Sequence, residues 1–381
     1  APEDDEDRGE RAMTDEAGES RQTAFHAIMA KTATGFDEEA GWFWVKGFGD
    51  PEAEYRAVRE GVGVWDVSPL NKWDFRGADA GEAAQRIHSN DVLGMQIGQV
   101  RYGAFLDEDG LLVDDGTVFK HADDHLWVCT NGLDHEVYFA DATKGLDVAV
   151  DYIAPDLPHL QVQGPRSRDA LQPITDVDLG SIGYFRFLPQ PVAVGGVPVW
   201  LSRTGFSGEL GYELFTKPEH AEDLWTAIEG IGAVPYGVDV VEPIRIEAGM
   251  IVTDYDYEAH QRTPYDLGLD RLVALDGEGS FMGKEALREV AGAPPNRFKT
   301  LRLEGQELPE YGATVTKDGA EVGVLTSPAS SPTFGPIGLA ILRSDVAADG
   351  TAVDVALGDG TIGATVDVLA VVDPEKRRPR G

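Results

Sequence analysis

The chain has 381 residues, and its 67 acidic against 32 basic residues give a formal net charge of −35. A protein this negative repels phosphates and anionic lipids, which argues against nonspecific nucleic-acid binding and against binding to anionic membranes. The same composition is typical of proteins kept soluble in concentrated salt, where charge repulsion is strongly screened, so it indicates a halophilic cytoplasm.

Length and the single cysteine set further bounds. A chain of this length exceeds one ordinary core and predicts two or three domains. Cys129 is the only cysteine, so internal disulfides and a metal site built from cysteines are excluded. The apolar run around it predicts that Cys129 is a core residue. No apolar run reaches ~18 residues, and the acidic N-terminus has no signal-peptide pattern. We therefore expect a cytoplasmic protein without a membrane span.

The N-terminal part begins with a charged segment that lacks large apolar groups. We predict that residues 1–22 form a disordered acidic leader. The segment 41–44 is predicted to be a glycine-bounded loop, in which Trp42 and Trp44 either stack on a flat ligand or plug the core. Composition favours the plug. Pro51–Glu60 has the start signals and charge pairs of a helix.

The centre of the sequence predicts a hairpin that carries two aspartates. Arg101–Leu106 and Leu111–Lys120 have the pattern of strands joined by an Asp/Gly turn. Asp114 and Asp115 interrupt an otherwise apolar strand, which is costly unless the carboxylates are partnered or used. In a regular strand Asp115 shares a face with Thr117 and Asp114 points the other way. The open alternative is a strand end with two solvated aspartates.

The sequence pattern changes near Pro294. Short alternating strands separated by Gly, Pro and Asp turns predict a small β-barrel. The predicted strands are Thr300–Leu303, Glu321–Thr326, Ile337–Leu342, Thr351–Val355 and Thr365–Val368.

Motifs in a fixed order run along most of the chain. They are Gly41-Trp42, WDVS at Trp65–Ser68, Asn90-Asp91, Tyr102, Asp109-Gly110, Asp114-Asp115, QGP at Gln163–Pro165, RTGFSGELGYEL at Arg203–Leu214, RIEAG at Arg245–Gly249, FMGKEAL at Phe281–Leu287, VGVLTS at Val322–Ser327 and SPTFG at Ser331–Gly335. Their order and spacing resemble the T-protein of the glycine cleavage system, an aminomethyltransferase, and its folate-dependent relatives, which include demethylases.

The resemblance implies an α+β fold, a three-domain ring with a C-terminal β-barrel, that encloses tetrahydrofolate. It implies an enzyme that moves a one-carbon unit from a donor to tetrahydrofolate. Two interleaved α+β domains are then expected at 23–290, the barrel at 294–372 and a basic tail at 373–381.

The resemblance also assigns site residues. Asp115 matches the second aspartate of the family's pair, beside the folate nitrogens, and is the expected catalytic residue. Glu213 matches a carboxylate that binds the pterin amino group and ring N–H, and a carboxylate accepts both in one plane. Tyr102 and Phe206 match aromatic residues of the folate site, and Thr130 stands where the family has an asparagine.

The chain departs from the cleavage enzyme around the folate and the donor. Pro69 and Leu70 replace the family's His-Met, and Val241 replaces an arginine. The WDVSP segment resembles the demethylase branch more than the cleavage branch. Arg245 matches a family arginine that we expect to be structural.

Two donors stay open. They are an aminomethylated lipoyl carrier protein and a small N-, S- or O-methyl compound. For a methylated cation, Trp42, Trp44 and Phe206 are candidates for an aromatic box, although hydrophobic contacts need no such role. A non-catalytic folate-binding scaffold is the rival class, and the cysteine signature of that relative is missing at 279–284. No metal is expected, because His121–His125 has the pattern of a polar turn.

Overall fold

The structure is a computed structural model that describes residues 20–131 and 135–381. Nearly all of the predicted acidic leader, residues 1–19, lies outside the described residues. Arg21, close to the end of the predicted leader, already joins the fold. Its backbone bridges Trp42, and its N–H donates to the carbonyl of Gly41 at 2.8 Å.

Helices and strands are mixed along the chain up to residue 290, and strands dominate beyond it. The strands are Gly35–Glu39 (β1), Trp42–Gly47 (β2), Gly63–Asp66 (β3), Asn71–Arg76 (β4), Val100–Leu106 (β5), Leu112–Ala122 (β6), His125–Thr130 (β7), Ala149–Tyr152 (β8), His159–Gln163 (β9), Val192–Val194 (β10), Val197–Ser202 (β11), Gly211–Phe215 (β12), Val234–Pro235 (β13), Asn296–Leu303 (β14), Ala313–Lys317 (β15), Ala320–Ser331 (β16), Gly335–Arg343 (β17), Ala352–Leu357 (β18) and Gly360–Asp367 (β19). The α-helices are His26–Met29 (α1), Pro51–Glu60 (α2), Ala80–Ile87 (α3), Glu136–Ala142 (α4), Ser167–Leu171 (α5), Ala221–Gly230 (α6), Val238–Glu247 (α7) and Lys284–Val290 (α8).

A six-stranded sheet holds the largest hydrophobic core. Its strand order is β10-β11-β12-β9-β3-β13. Val64, Val162 and Tyr212 are cross-strand partners, so their side chains share one face of the sheet. They belong to the same buried cluster as Leu224 and Trp225 of α6. Because strand side chains alternate, the residues between them in sequence point to the opposite face.

A five-stranded antiparallel sheet carries the predicted hairpin. Its strand order is β5-β6-β7-β4-β8. Helices α3 and α4 cover one face, where Ile87 and Phe139 belong to a buried cluster with Phe75 and Val128. The hairpin turn contains Gly110 with a φ of 76°, in the left-handed region that favours glycine.

The C-terminal part is a closed barrel of the six strands β14 to β19, and α7 packs against it. The wholly buried Arg245 joins the two parts. Its guanidinium lies 2.8 Å from carboxylate oxygens of Glu242 and Asp256, and it donates to Oγ of Ser327 on β16 at 2.8 Å. This arginine therefore has the structural role that the sequence indicated.

The α+β class and the C-terminal barrel are confirmed, but two local predictions were wrong. The aromatic segment after Gly41 is a strand rather than a loop. Ala40 and Gly41, with φ values of 50° and 75°, form a two-residue turn that pairs Glu39 with Trp42. The barrel strand Ala313–Lys317 was missed, because only Val315 among its residues is deeply buried and apolar.

Candidate functional site

The five-stranded sheet presents a row of polar side chains on the face away from α3 and α4. Lys72 pairs with Cys129, Cys129 with Thr117, and Thr117 with Tyr102, on four successive strands. Cross-strand partners share a face, so these side chains lie side by side. Asp115 is two residues before Thr117 and points to the same face.

The six-stranded sheet presents a second row. Trp65 pairs with Gln161, Gln161 with Glu213, and Glu213 with Ser202. These residues lie on the face opposite to the α6 core. The charge of Glu213 raises the pKa of both Lys72 and the Cys129 thiol of the other sheet, so the two rows lie within electrostatic range of each other.

Asp115 is 6% exposed and receives hydrogen bonds on both carboxylate oxygens. The hydroxyl of Tyr102 donates to Oδ2 at 2.8 Å, and the hydroxyl of Tyr257 donates to Oδ1 at 2.5 Å. Nδ2 of Asn131 lies 3.2 Å from Oδ1. These donors favour the ionised carboxylate, and they fix its orientation.

Asp114 is completely buried and serves as an anchor for the surrounding groups. Its Oδ1 accepts from Nδ2 of Asn131 at 2.7 Å and from the hydroxyl of Thr253 at 2.9 Å. Its Oδ2 lies 2.7 Å from Nε2 of His135 and accepts from the backbone N–H of Asn131 at 3.0 Å. With its oxygens used in this way, Asp114 holds the neighbours of Asp115 in place. The solvated alternative for the two aspartates is thereby wrong.

The surroundings of Asp115 also change its pKa. Burial raises the pKa of Asp115 to about 7, and the adjacent charge of Asp114 contributes to the rise. The hydrogen bonds from Tyr257, Tyr102 and Asn131 oppose it. A carboxyl group whose pKa lies near neutrality can hold or release a proton at neutral pH, as acid–base chemistry requires.

Glu213 is the second carboxyl group of the site, and its side chain is 12% exposed. Burial raises its pKa to about 7, whereas a hydrogen bond from the Thr204 hydroxyl and the charge of Lys72 lower it. Its Oε1 lies 3.9 Å from Nε2 of His159, whose ring stacks on Phe215 at 4.3 Å between centroids. Burial keeps the pKa of His159 well below its usual value, so that ring is neutral.

Buried donors and acceptors without partners mark this second row. The indole Nε1 of Trp65 and the Nδ1 of His159 have no hydrogen-bond partner among the described residues. Buried polar atoms of native proteins are usually satisfied, so each such atom calls for an explanation. A planar heterocycle with ring N–H groups and a carbonyl matches the chemistry of this set, with Glu213 as the charged acceptor.

The other residues singled out from sequence lie at different distances from the two rows. The backbone N–H of Phe206 donates to Oε1 of Gln161 at 2.9 Å, beside Glu213. Trp44 packs on Trp65 with 5.7 Å between ring centroids. Trp42 contacts the N-terminal segment: Cζ of the Arg21 guanidinium lies 5.8 Å from the centroid of its ring.

The remaining candidates from the sequence, Pro69, Leu70 and Thr130, lie at strand ends near Lys72. The carbonyl of Leu70 accepts from Nζ of Lys72 at 2.8 Å, and Pro69 is buried next to it. Thr130 is buried and pairs with Gly116 at the end of β7. The amide that contacts both aspartates comes from Asn131, one residue further on.

Sequence reasoning missed Tyr257, Thr253 and Lys72. Tyr257 and Thr253 come from an irregular segment after α7 with no periodic pattern, so nothing local placed them beside the hairpin. No local signal existed for Lys72 either. Its strand alternates polar Lys72, Asp74 and Arg76 with apolar Trp73 and Phe75, which is the pattern of a strand with one solvated face.

Most of the chain matches one family. The model of the GCVT N-terminal domain matches residues 25–277, and that of the glycine cleavage T-protein C-terminal barrel domain matches residues 296–373. The chain is 35% identical over 348 residues to the aminomethyltransferase of Streptomyces coelicolor, which covers 87% of this chain and 92% of that protein. It is 32% identical over 366 residues to a probable aminomethyltransferase of Halobacterium salinarum, with 93% and 99% covered.

Two further similarities complete the comparison. The trimethylamine-oxide aldolase of Ruegeria pomeroyi is 34% identical over 383 residues, and the match covers 95% of this chain but 48% of that protein. The crystal structure of aminomethyltransferase T of the glycine cleavage system from Bartonella henselae superposes with a TM-score of 0.84 at 21% identity, covering 93% and 98% of the two chains. That likeness establishes the shared fold. In the described part of the chain, every helix is too short or too polar to span a membrane.

Proposed function

The chain belongs to the glycine cleavage T-protein family, and from this premise we propose that it transfers a one-carbon unit from a donor to tetrahydrofolate. The observation that carries the proposal is the position of Asp115. It is buried, its pKa is raised to about 7, and it shares a sheet face with Lys72, on which the charge of Glu213 acts.

The residues present fit a reduced pterin. Glu213 accepts the amino group and the ring N–H through its two carboxylate oxygens. The unpartnered Nε1–H of Trp65 lies in the same row and is available to an acceptor atom of the ring. Tyr102 borders the site at the Asp115 end. When bound, tetrahydrofolate supplies the secondary amine that receives the one-carbon unit.

Asp115 acts on the proton and the charge of the transfer. As a carboxylate it stabilises positive charge that develops during transfer, and as an acid it returns a proton. Tyr102 and Tyr257 hold its two oxygens, so the carboxylate keeps one orientation in both roles. Acid–base assistance of this kind is worth on the order of 10²–10⁴-fold in rate.

We propose an aminomethylated lipoyl carrier protein as the first candidate donor, supported by relatives named aminomethyltransferase that match over nearly their full length. A small methylated compound is the second candidate. Pro69 and Leu70 in place of His-Met, and the similarity to a trimethylamine-oxide aldolase, favour it.

A donor panel separates the two. The protein is incubated in concentrated salt with tetrahydrofolate and, in turn, with aminomethylated lipoyl protein, dimethylglycine, dimethylsulfoniopropionate and aryl methyl ethers. Formation of 5,10-methylene-tetrahydrofolate with ammonia release identifies the aminomethyl donor, and 5-methyl-tetrahydrofolate identifies a methyl donor. Binding of reduced folate without turnover of any donor would favour the non-catalytic scaffold.

A further inference from the structure

We propose that Lys72 is a further binding residue of this site: the N–H of its ammonium that has no partner among the described residues binds an acceptor atom of the heterocycle whose donors bind Glu213. The inference rests on the proposed folate function and deepens it. It concerns a lysine of the first polar row, which no motif of the sequence singled out.

Lys72 is a buried lysine whose ammonium has incomplete hydrogen bonding to the described residues. The side chain is completely buried in the middle of the five-stranded sheet. Its Nζ donates to the carbonyl oxygens of Ser68 at 3.0 Å and Leu70 at 2.8 Å. An ammonium group has three N–H donors, so one has no partner among the described residues. Burying a charged group with incomplete hydrogen bonding is costly and calls for a compensating charge.

Burial lowers the pKa of Lys72, and the carboxylates of Asp66 and Glu213 oppose this shift and supply the compensating charge. Asp66 on β3 already accepts from the Thr23 hydroxyl at 2.6 Å and from the backbone N–H and hydroxyl of Ser68. Burial raises the pKa of the Cys129 thiol on β7 to about 12, so it is neutral at physiological pH. His159 on β9 is neutral as well.

In the part of the chain that the structure describes, the ammonium of Lys72 has no carboxylate in direct contact. Across the described ranges, no carboxylate oxygen lies within 4.0 Å of Nζ of Lys72. The ammonium and the carboxylate of Glu213 therefore form no direct ion pair, so neither group uses the other as a hydrogen-bond partner. The carboxylate binds the N–H donors of the ligand, and the ammonium binds an acceptor, so the pair recognises a ring that carries both.

This arrangement has a pH signature. Burial raises the pKa of Glu213 to about 7 and lowers that of Lys72 to about 8. Below this window Glu213 is protonated and loses one acceptor site. Above it Lys72 loses its charge. Ligand affinity is therefore highest between the two values.

The test is the pH dependence of tetrahydrofolate binding. Dissociation constants are measured anaerobically from pH 6 to 9.5 in molar potassium chloride, for the wild type, Lys72→Met and Lys120→Met. Lys120 lies on β6 of the same sheet, pairs with the exposed Asp123 and serves as the matched control for loss of one lysine. If Lys72→Met does not fold, Lys72→Gln takes its place.

We expect the wild type to bind most tightly between pH 7 and 8. Lys72→Met should bind at least about tenfold more weakly at pH 7.5, because a hydrogen bond from a charged donor is lost. It should approach the wild type at pH 9.5, where Lys72 of the wild type is uncharged. Lys120→Met should follow the wild type. A flat wild-type profile, an unchanged profile in Lys72→Met, or an equal shift in the control overturns the inference. Absence of reduced-folate binding by the wild type at every pH would instead contradict the proposed function.

Discussion

The hydroxyl of Tyr257 donates to Oδ1 of Asp115 at 2.5 Å, although the two residues are 142 positions apart in the chain. Tyr102 donates to the other oxygen from the neighbouring strand. Asp115 is thus held between a local and a distant hydroxyl group, and the distant one comes from the segment that leads from α7 towards the barrel. The geometry of this carboxylate depends on the assembled fold.

Replacing Asp115 by asparagine should lower one-carbon transfer by 10²–10⁴-fold and leave tetrahydrofolate bound, because the amide keeps the shape and loses the acid–base group. Single-turnover formation of the folate product and equilibrium binding measure the two effects. Asp114→Asn is the matched comparison. Since Asp114 anchors Asn131, Thr253 and His135, its change should cost on the order of 1–3 kcal/mol of stability. Equal transfer rates in Asp115→Asn and the wild type would remove Asp115 from the chemistry.

Asp115→Asn should also stabilise the folate-free protein at neutral and alkaline pH. The pKa of Asp115 rises from 3.8 to about 7 on folding, so the native state keeps a proton that the unfolded state has released. The stability contribution of the protonated carboxyl group is complete below pH ~4 and is lost as the pH rises to about 7. The advantage of the mutant should therefore grow between these values and then level off, at a few kcal/mol as an order of magnitude. Thermal melts across this range measure it, and a constant difference at all pH values would contradict the assignment.

Tyr257→Phe should shift the pH–rate profile. Loss of a hydrogen bond to the ionised carboxylate raises the pKa of Asp115 further, so the limb governed by this group moves to higher pH. Tyr184→Phe, at a half-buried tyrosine without a described contact to Asp115, is the control. If both variants keep the wild-type profile, the Tyr257 contact has no influence on the reaction.

Arg245→Met should destabilise the fold without acting on the transfer directly. The substitution removes the cation that pairs with the buried Asp256 and with Glu242, and breaking a buried pair in this way costs about 3–5 kcal/mol. The melting temperature in high salt measures the loss. The exposed Arg288, which pairs with Glu285, gives the comparison: Arg288→Met should change stability by less than about 1 kcal/mol. Similar losses in both variants would argue against the linking role of Arg245.

The sequence predicted much of this arrangement because its signals were local. Strand alternation gave the hairpin and the face of Asp115, and turn residues with alternating strands gave the barrel. The contacts that define the site are not local. Tyr257, Thr253 and Lys72 reach it through sheet register and the packing of separate segments, which no pattern within one segment encodes. The aromatic segment was misread because a strand that follows a glycine turn has the same composition as a loop.

The most direct test of the central claim is tetrahydrofolate binding to the wild type and to Glu213→Gln at pH 7.5 in concentrated salt. Glutamine keeps the volume of Glu213 but replaces one carboxylate oxygen by an NH2 group. This group is a donor, so it cannot accept a hydrogen bond from an N–H group of the ligand. We predict low-micromolar or tighter binding by the wild type and a loss of at least about tenfold in Glu213→Gln, since a hydrogen bond to a charged group contributes about 1.5–3 kcal/mol. A wild type that binds no reduced folate, or a variant that binds it equally well, would contradict the account.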